Sequence, residues 1–199
     1  MRTLTRIEAA PSSIAPPGSP SRPDLAPAAV RRADWRFLLP DPALGRVAYV
    51  GPHQPALVRA LSALSDHLEL RPPPGTLHDV VVVTRPTGSR QLAAGKLVAP
   101  GGWVYLETTG LRAGGAIAQL RGSGLVELAA WWLWPEASAC LQMIPLANPA
   151  ALGAALGRRQ PGSPPGPRAW AAQALARCGA LRPLLASVAL VGRRPEGDA

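Results

Sequence analysis

Lysine is almost missing from this chain. Lys96 is the only one among 21 basic residues, and the other 20 are arginine. Phenylalanine occurs once, at Phe37, and asparagine once, at Asn148. Ala, Pro, Arg and Gly stand in their place, which is the bias of a GC-rich, bacterial type of coding sequence. The net charge of +9 is therefore weak evidence for a nucleic-acid partner, and none is expected. Cysteine is scarce as well. Cys140 and Cys178 fit no metal or redox spacing, and His53, His67 and His78 do not cluster with them. That excludes a structural zinc site and fits a reducing cytoplasm, the expected location. No apolar run is long enough for a membrane span, because Glu127 interrupts the best candidate, Leu125 to Trp134. The N-terminal stretch lacks the apolar core of a secretory signal, so secretion is not expected. There is no Ser-His-Asp arrangement, no phosphate-binding Gly-Lys motif and no paired-carboxylate site.

What the chain does have is proline and glycine, 44 of 199 residues, gathered into a few segments. Residues 1–30 carry six prolines and no apolar period. They cannot bury enough surface to offset their ordering entropy, which predicts a disordered tail. A single domain is expected over residues 31–193, with a frayed tail at 194–199. Its first segment, RRADWRFLLP, gathers Trp35, Phe37, Leu38 and Leu39, and such a segment is expected to pack across the sheet edge.

Short β-branched runs bounded by turn residues read as strands buried on both faces. Arg46 to Val50, Val80 to Val83 and Trp103 to Leu106 are such runs, with helical patterns between them. Three adjacent parallel strands in a three-layer α/β domain are the expectation. Pro55 suits a first helical turn, and Leu57, Ala60, Leu61 and Leu64 should face the sheet. His67 to Leu70 reads as a brief strand, Leu111 to Arg121 as a helix, and Leu125 to Trp134 as a strand. An extended piece at Cys140 to Leu146 is followed by a helix from Ala150, with Asn148 as its N-cap. Arg168 to Leu181 is expected to be an amphipathic helix, and Ser187 to Val191 a last strand.

Taken together, a strand ending at Gly51, a helix, the run Asp79-Val80-Val81-Val82-Val83 and the turn Pro100-Gly101-Gly102 into Trp103-Val104-Tyr105-Leu106-Glu107 resemble the class I S-adenosylmethionine-dependent methyltransferases. The resemblance covers roughly Arg46 to Leu128 and, more loosely, the terminal SVALVGRRP. The stretch WWLWPEASACLQMIPL also looks like one found after the core in some bacterial members. The implied fold is a Rossmann-like three-layer sandwich with a mostly parallel, truncated methyltransferase-type sheet. The resemblance also implies the places a cofactor would touch: Gly51 and His53 in the first loop, Glu69 near the ribose, and Thr84 and Arg85 after the Asp79 strand.

The departures from that pattern bear on function. The first loop has one glycine beside the rigid Pro52, where the family uses several so that backbone can approach the methionine moiety. Only seven residues, Arg71 to Leu77, separate the second strand from the next. A helical crossover needs about ten to twelve. The region that normally builds the adenine pocket is therefore absent. The expected function is a methyltransferase-like protein that has lost cofactor binding, a pseudoenzyme serving as an interaction or scaffold module. The alternative is an active methyltransferase on a small polar molecule or peptide, with S-adenosylmethionine as cofactor.

Individual residues keep two readings each. His53 is an exposed loop residue or an anion-binding group. Arg85 is solvated or pairs with a carboxylate or phosphate. Glu107 orients a substrate amine or caps the following turn, while Asp79 fixes the start of its strand. Trp131, Trp132 and Trp134 alternate imperfectly, so at least one ring faces away from its neighbour. That cluster is the expected contact for a protein partner.

Overall fold

The computed structural model describes residues 30–86, 88–157, 174–175 and 180–197. All but the last residue of the tail expected over residues 1–30, and most of the helix expected from Arg168 to Leu181, lie outside those residues. The strands are β1 (Arg46–Val50), β2 (His67–Leu70), β3 (His78–Val83), β4 (Val98–Thr108), β5 (Val126–Trp134), β6 (Gln142–Pro145) and β7 (Val188–Arg193). The helices are α1 (Pro55–Leu64), α2 (Gly88–Leu97), α3 (Gly110–Gly122) and α4 (Pro149–Gly157). Among the described residues one sheet holds seven strands in the order β2-β1-β3-β4-β7-β5-β6.

The three strands expected to be parallel neighbours are so. Val47 pairs with Val80 and Val50 with Val83 across β1 and β3, and Val80 pairs with Trp103 across β3 and β4. β2 adds a fourth parallel strand on the other side of β1 and ends the sheet. The seven-residue link after β2 contains no helix; it turns through Arg71 and Gly75, both with positive φ. β7 then enters antiparallel between β4 and β5, and β6 lies antiparallel on the outer edge of β5. Five strands thus share one direction, and β6 and β7 oppose them. This is the Rossmann-like, mostly parallel sandwich, with antiparallel strands confined to one half.

Alternation along the strands divides the core into two layers. Ala48, Val81, Val83, Val104 and Leu106 meet Ala94 and Leu97 of α2, Ala113, Ala116 and Leu120 of α3, and Leu152 of α4. Val47, Tyr49, Val80, Val82 and Tyr105 meet Leu57 and Leu61 of α1 together with Trp35, Leu39 and Leu44. The segment before β1 therefore does more than brush the sheet edge. Trp35 is fully buried and stacks on Tyr105 in the middle of the sheet, with ring centroids 4.1 Å apart and planes 12° apart. Such an aromatic pair contributes about 0.5–1.5 kcal/mol beyond its buried area.

Two junctions explain residues noted in the sequence. The Asp79 carboxylate accepts the Arg46 amide at 2.8 Å, tying the start of β3 to that of β1. Asn148 caps α4, its Oδ1 accepting the amides of Ala150 at 3.0 Å and Ala151 at 3.1 Å. Pro100-Gly101-Gly102 is not a turn leading into a strand: β4 already starts at Val98, and these residues form an irregularity within it. A Cβ on Gly102 would lie 2.8 Å from the Asp79 carbonyl oxygen, so the close approach requires glycine there. The same irregularity holds the chain after β7. The Gly101 amide donates to the Arg194 carbonyl, and the Arg194 amide donates to the Gly102 carbonyl. The segment expected to fray from residue 194 is thus tied down through its first residues.

Candidate functional site

In an open α/β sheet, ligands bind beyond the C-terminal ends of the parallel strands. Here those ends present Gly51 after β1, Thr84 to Pro86 after β3, and Glu107 to Thr109 at the end of β4. The residues expected there divide into two neighbourhoods.

The first surrounds Gly51. Its backbone backs onto Thr84, and a Cβ at this position would lie 2.4 Å from the Thr84 Oγ1 and 2.8 Å from its carbonyl oxygen. Thr84 is fully buried. The Tyr49 hydroxyl donates to the Pro52 carbonyl at 2.6 Å and shares a hydrogen bond of 2.8 Å with the Thr84 hydroxyl. Burial, above all, pushes the Tyr49 hydroxyl above its ordinary pKa, against the bond from Thr84, which lowers it. Glycine at 51 is thus required by internal packing. Beside it lies an open hollow of about 360 Å³ lined by Tyr49, Gly51, His53, Leu70 and Arg71. His53 is exposed on its rim. Glu69 does not line the hollow: its Oε2 is 2.8 Å from Nε2 of the fully buried His78. Among the described residues the lining therefore carries an imidazole and a guanidinium and no carboxylate.

The second neighbourhood surrounds Glu107, which is only 8% exposed. Arg32 reaches it from the segment before β1 and makes a two-pronged bond, Nη1 to Oε1 at 2.5 Å and Nη2 to Oε2 at 2.7 Å. Nη2 also donates to the Gln54 Oε1 at 3.0 Å, and the Tyr105 hydroxyl donates to Glu107 Oε1 at 3.0 Å. Burial would lower the Arg32 pKa, but the Glu107 carboxylate outweighs it and the net shift is upward. Burial and then the same carboxylate drive the Tyr105 hydroxyl well above its ordinary pKa. The pair forms one wall of a crevice of about 480 Å³ that also takes in Arg85, Pro86, Thr109, Arg112 and Glu136. Arg85 is exposed and has a φ of 46°. Glu107 therefore neither caps the next turn nor faces an empty site; it holds the chain's own cation.

The tryptophans separate as their alternation requires. Trp131 packs with the layer containing Trp35, and Trp132 with the opposite layer. Trp134 is 44% exposed beside Leu141, which is 64% exposed and whose amide donates to the Trp134 carbonyl at 2.8 Å. Cys140 is half-buried, its thiol donates to the Gln142 carbonyl, and burial raises its pKa. Among the described residues no group of His, Cys, Asp and Glu could hold a metal ion, and no helix is long and apolar enough to cross a membrane.

No protein-family model matches the sequence, and no curated protein matches it. Solved structures are similar to it in fold. An S-adenosylmethionine-dependent methyltransferase from Thermotoga maritima is 10% identical, with a TM-score of 0.41 over 84% of this chain and 87% of that one. The S-adenosylmethionine-dependent methyltransferase SibL, in its apo form, is 12% identical, with a TM-score of 0.42 over 85% and 55%. The cyclase SpnF is 13% identical, with a TM-score of 0.39 over 84% and 80%. The Rossmann-like, mostly parallel sheet stands on its own strand order and register. At these identities and TM-scores the matches carry no argument about family or reaction.

Proposed function

We propose that this methyltransferase-like protein does not use S-adenosylmethionine and acts as an interaction module. The observation that carries the reading is the engagement of Glu69 by His78. A ribose diol is held by a carboxylate, and the hollow beside Gly51 offers none among the described residues. Gly51 supports the same reading, since Thr84 already fills the space against it. The residues present do not fit the cofactor.

Contacts with a protein partner are assigned to the end of β5, where Trp134, Pro135 and Leu141 are exposed together, and to the Arg85 loop. Trp131 and Trp132 contribute to the core and support that end from within. Calorimetric titration with S-adenosylmethionine and S-adenosylhomocysteine tests the reading. No heat of binding is expected at micromolar ligand. Micromolar binding that is lost on Tyr49→Ala or Leu70→Arg would restore the alternative, an active methyltransferase.

A further inference from the structure

We propose that the end of the sheet formed by the C-termini of the parallel strands is a docking face for an anionic lipid surface. This goes beyond the interaction reading, adding a lipid surface to the protein contacts at the end of β5. The face is set by topology. β1 to β5 all end there, α1, α2 and α3 begin there, and β6 and β7 start there because they run the opposite way.

The charge of this end is positive and uncompensated. Arg71 follows β2, Arg85 follows β3, Arg90 lies in the first turn of α2 and Arg112 in that of α3, and all four are exposed. Among the described residues none of them is in an ion pair. Two carboxylates close to them are engaged internally, Glu69 by His78 and Glu107 by Arg32. Of the crevice's two carboxylates only Glu136 is left exposed. The positive ends of three helix dipoles add to the same potential. At the other end of the sheet the signs are mixed. Asp41, Asp66 and Asp79 are exposed there, and Arg193 is paired with Glu127 and Glu196. An anionic plane therefore orients the molecule with the arginine-bearing end toward it.

The same end carries apolar side chains in the open. Among the described residues eight large apolar side chains are exposed, and five of them, Leu70, Leu111, Trp134, Leu141 and Leu184, are here. Leu111 and Leu184 are 77% and 68% exposed, and the Gly110 amide, which donates to the Leu185 carbonyl, brings their segments together. The five run from β2 at one edge of the sheet to the start of β6 at the other, roughly 30 Å at about 4.8 Å per strand. Trp134 and Leu141 suit a local protein contact. Leu70, Leu111 and Leu184 lie outside it, interleaved with arginines, and form no single desolvated hot spot. Nucleic acid would offer phosphates to the arginines and nothing to the leucines. A bilayer serves both, because its headgroups attract guanidinium groups and its acyl boundary takes up leucine and tryptophan.

Co-sedimentation of the full-length protein with vesicles tests this, using phosphatidylcholine alone and phosphatidylcholine with about one-third phosphatidylglycerol. At low salt the protein should pellet with the anionic vesicles and not with the neutral ones, and added salt should release it. Arg85→Ala with Arg112→Ala should weaken binding about 25-fold, at about 1 kcal/mol for each cation near such a surface. Leu111→Ser with Leu184→Ser, which leaves every charge in place, should weaken it about tenfold or more. Leu77→Ser with Val126→Ser, at the other end of the sheet, should leave it unchanged. All four of these side chains are exposed, and equal thermal midpoints check that the variants keep the fold. No pelleting with anionic vesicles at low salt would overturn the proposal. Equal losses from the two serine pairs would overturn it too, marking only the general attraction of a chain of charge +9. Capture by soluble polyglutamate without vesicle binding would overturn it in favour of an acidic protein segment. Failure here leaves the reading of the Gly51 hollow standing, since that reading has its own titration.

Discussion

The hollow beside Gly51 and the crevice beside Glu107 lie at the same ends of β1 and β4, parallel strands with β3 between them, and both are open. Each has a carboxylate close by, and in each the carboxylate is already paired. Glu69 turns away to His78, with 27% of its side chain exposed, while Glu107 is sealed against Arg32 at 9%. Glu69 and Glu107, near the C-terminal ends of the parallel strands, are thus both held by internal partners. The exposures also rank the two pairs, because partial solvation screens the first and not the second.

The sharpest test of that ranking removes one partner of the buried pair. Arg32→Ala should destabilise the protein by about 3–5 kcal/mol, the usual effect of leaving a buried charge alone. Replacing both partners by apolar residues, Arg32→Met with Glu107→Leu, should recover most of the loss. Urea unfolding measures both. A loss below about 1 kcal/mol in the single variant, typical of an exposed pair, would abolish the contrast between the two mouths.

On the Gly51 side, the cost should come from packing instead of charge. Gly51→Ala drives a methyl into the Thr84 hydroxyl and carbonyl, and overpacking of this kind costs about 1–3 kcal/mol. The loss should appear without any ligand present. Unchanged stability would mean that Thr84 moves aside easily and that the hollow can widen.

Smaller effects come next. Tyr49→Phe removes the hydroxyl that joins Pro52 to Thr84 and should cost about 1 kcal/mol. Glu69→Gln should cost less than that, given its exposure. A larger loss for Glu69→Gln than for Tyr49→Phe in thermal melts would move the centre of the first neighbourhood to His78.

The smallest effect is one of pH. Both tyrosine hydroxyls have pKa values raised on folding, Tyr105 the more, chiefly through burial. A raised value means that the folded protein keeps its proton where the unfolded chain begins to lose it. The associated stability is therefore complete below the unfolded value of about 10 and falls as pH rises beyond it. Stability measured in urea from neutral pH upward should decline there, and Tyr105→Phe should flatten the decline. An identical slope in the variant would show that Tyr105 opens to solvent.

Strand positions were legible because a β-branched run flanked by Gly, Pro and Asp has few other uses. Thus the β1, β3 and β4 runs, the α1 face through Leu57 and Leu61, and the Asn148 cap all follow from local spacing and local hydrogen bonding. The short link from Arg71 to Leu77 likewise excluded a helix on length alone. Arg32 was not legible. Nothing near it in sequence distinguishes it from its neighbour Arg31, and its partner lies 75 residues away.

The sequence alone thus determined the parallel half of the sheet, its truncation after β2, and the residues at the C-terminal ends of its parallel strands. Tertiary structure alone decided that β7 enters between β4 and β5, that Trp35 stacks on Tyr105, that Glu69 faces His78, and that Arg32 pairs with Glu107 at the crevice wall. The physical reason is one of range. Burial period, turn geometry and capping act over a few residues and leave their mark on composition. The partner of a buried charge is set by which strand ends meet in space, and no local pattern records it.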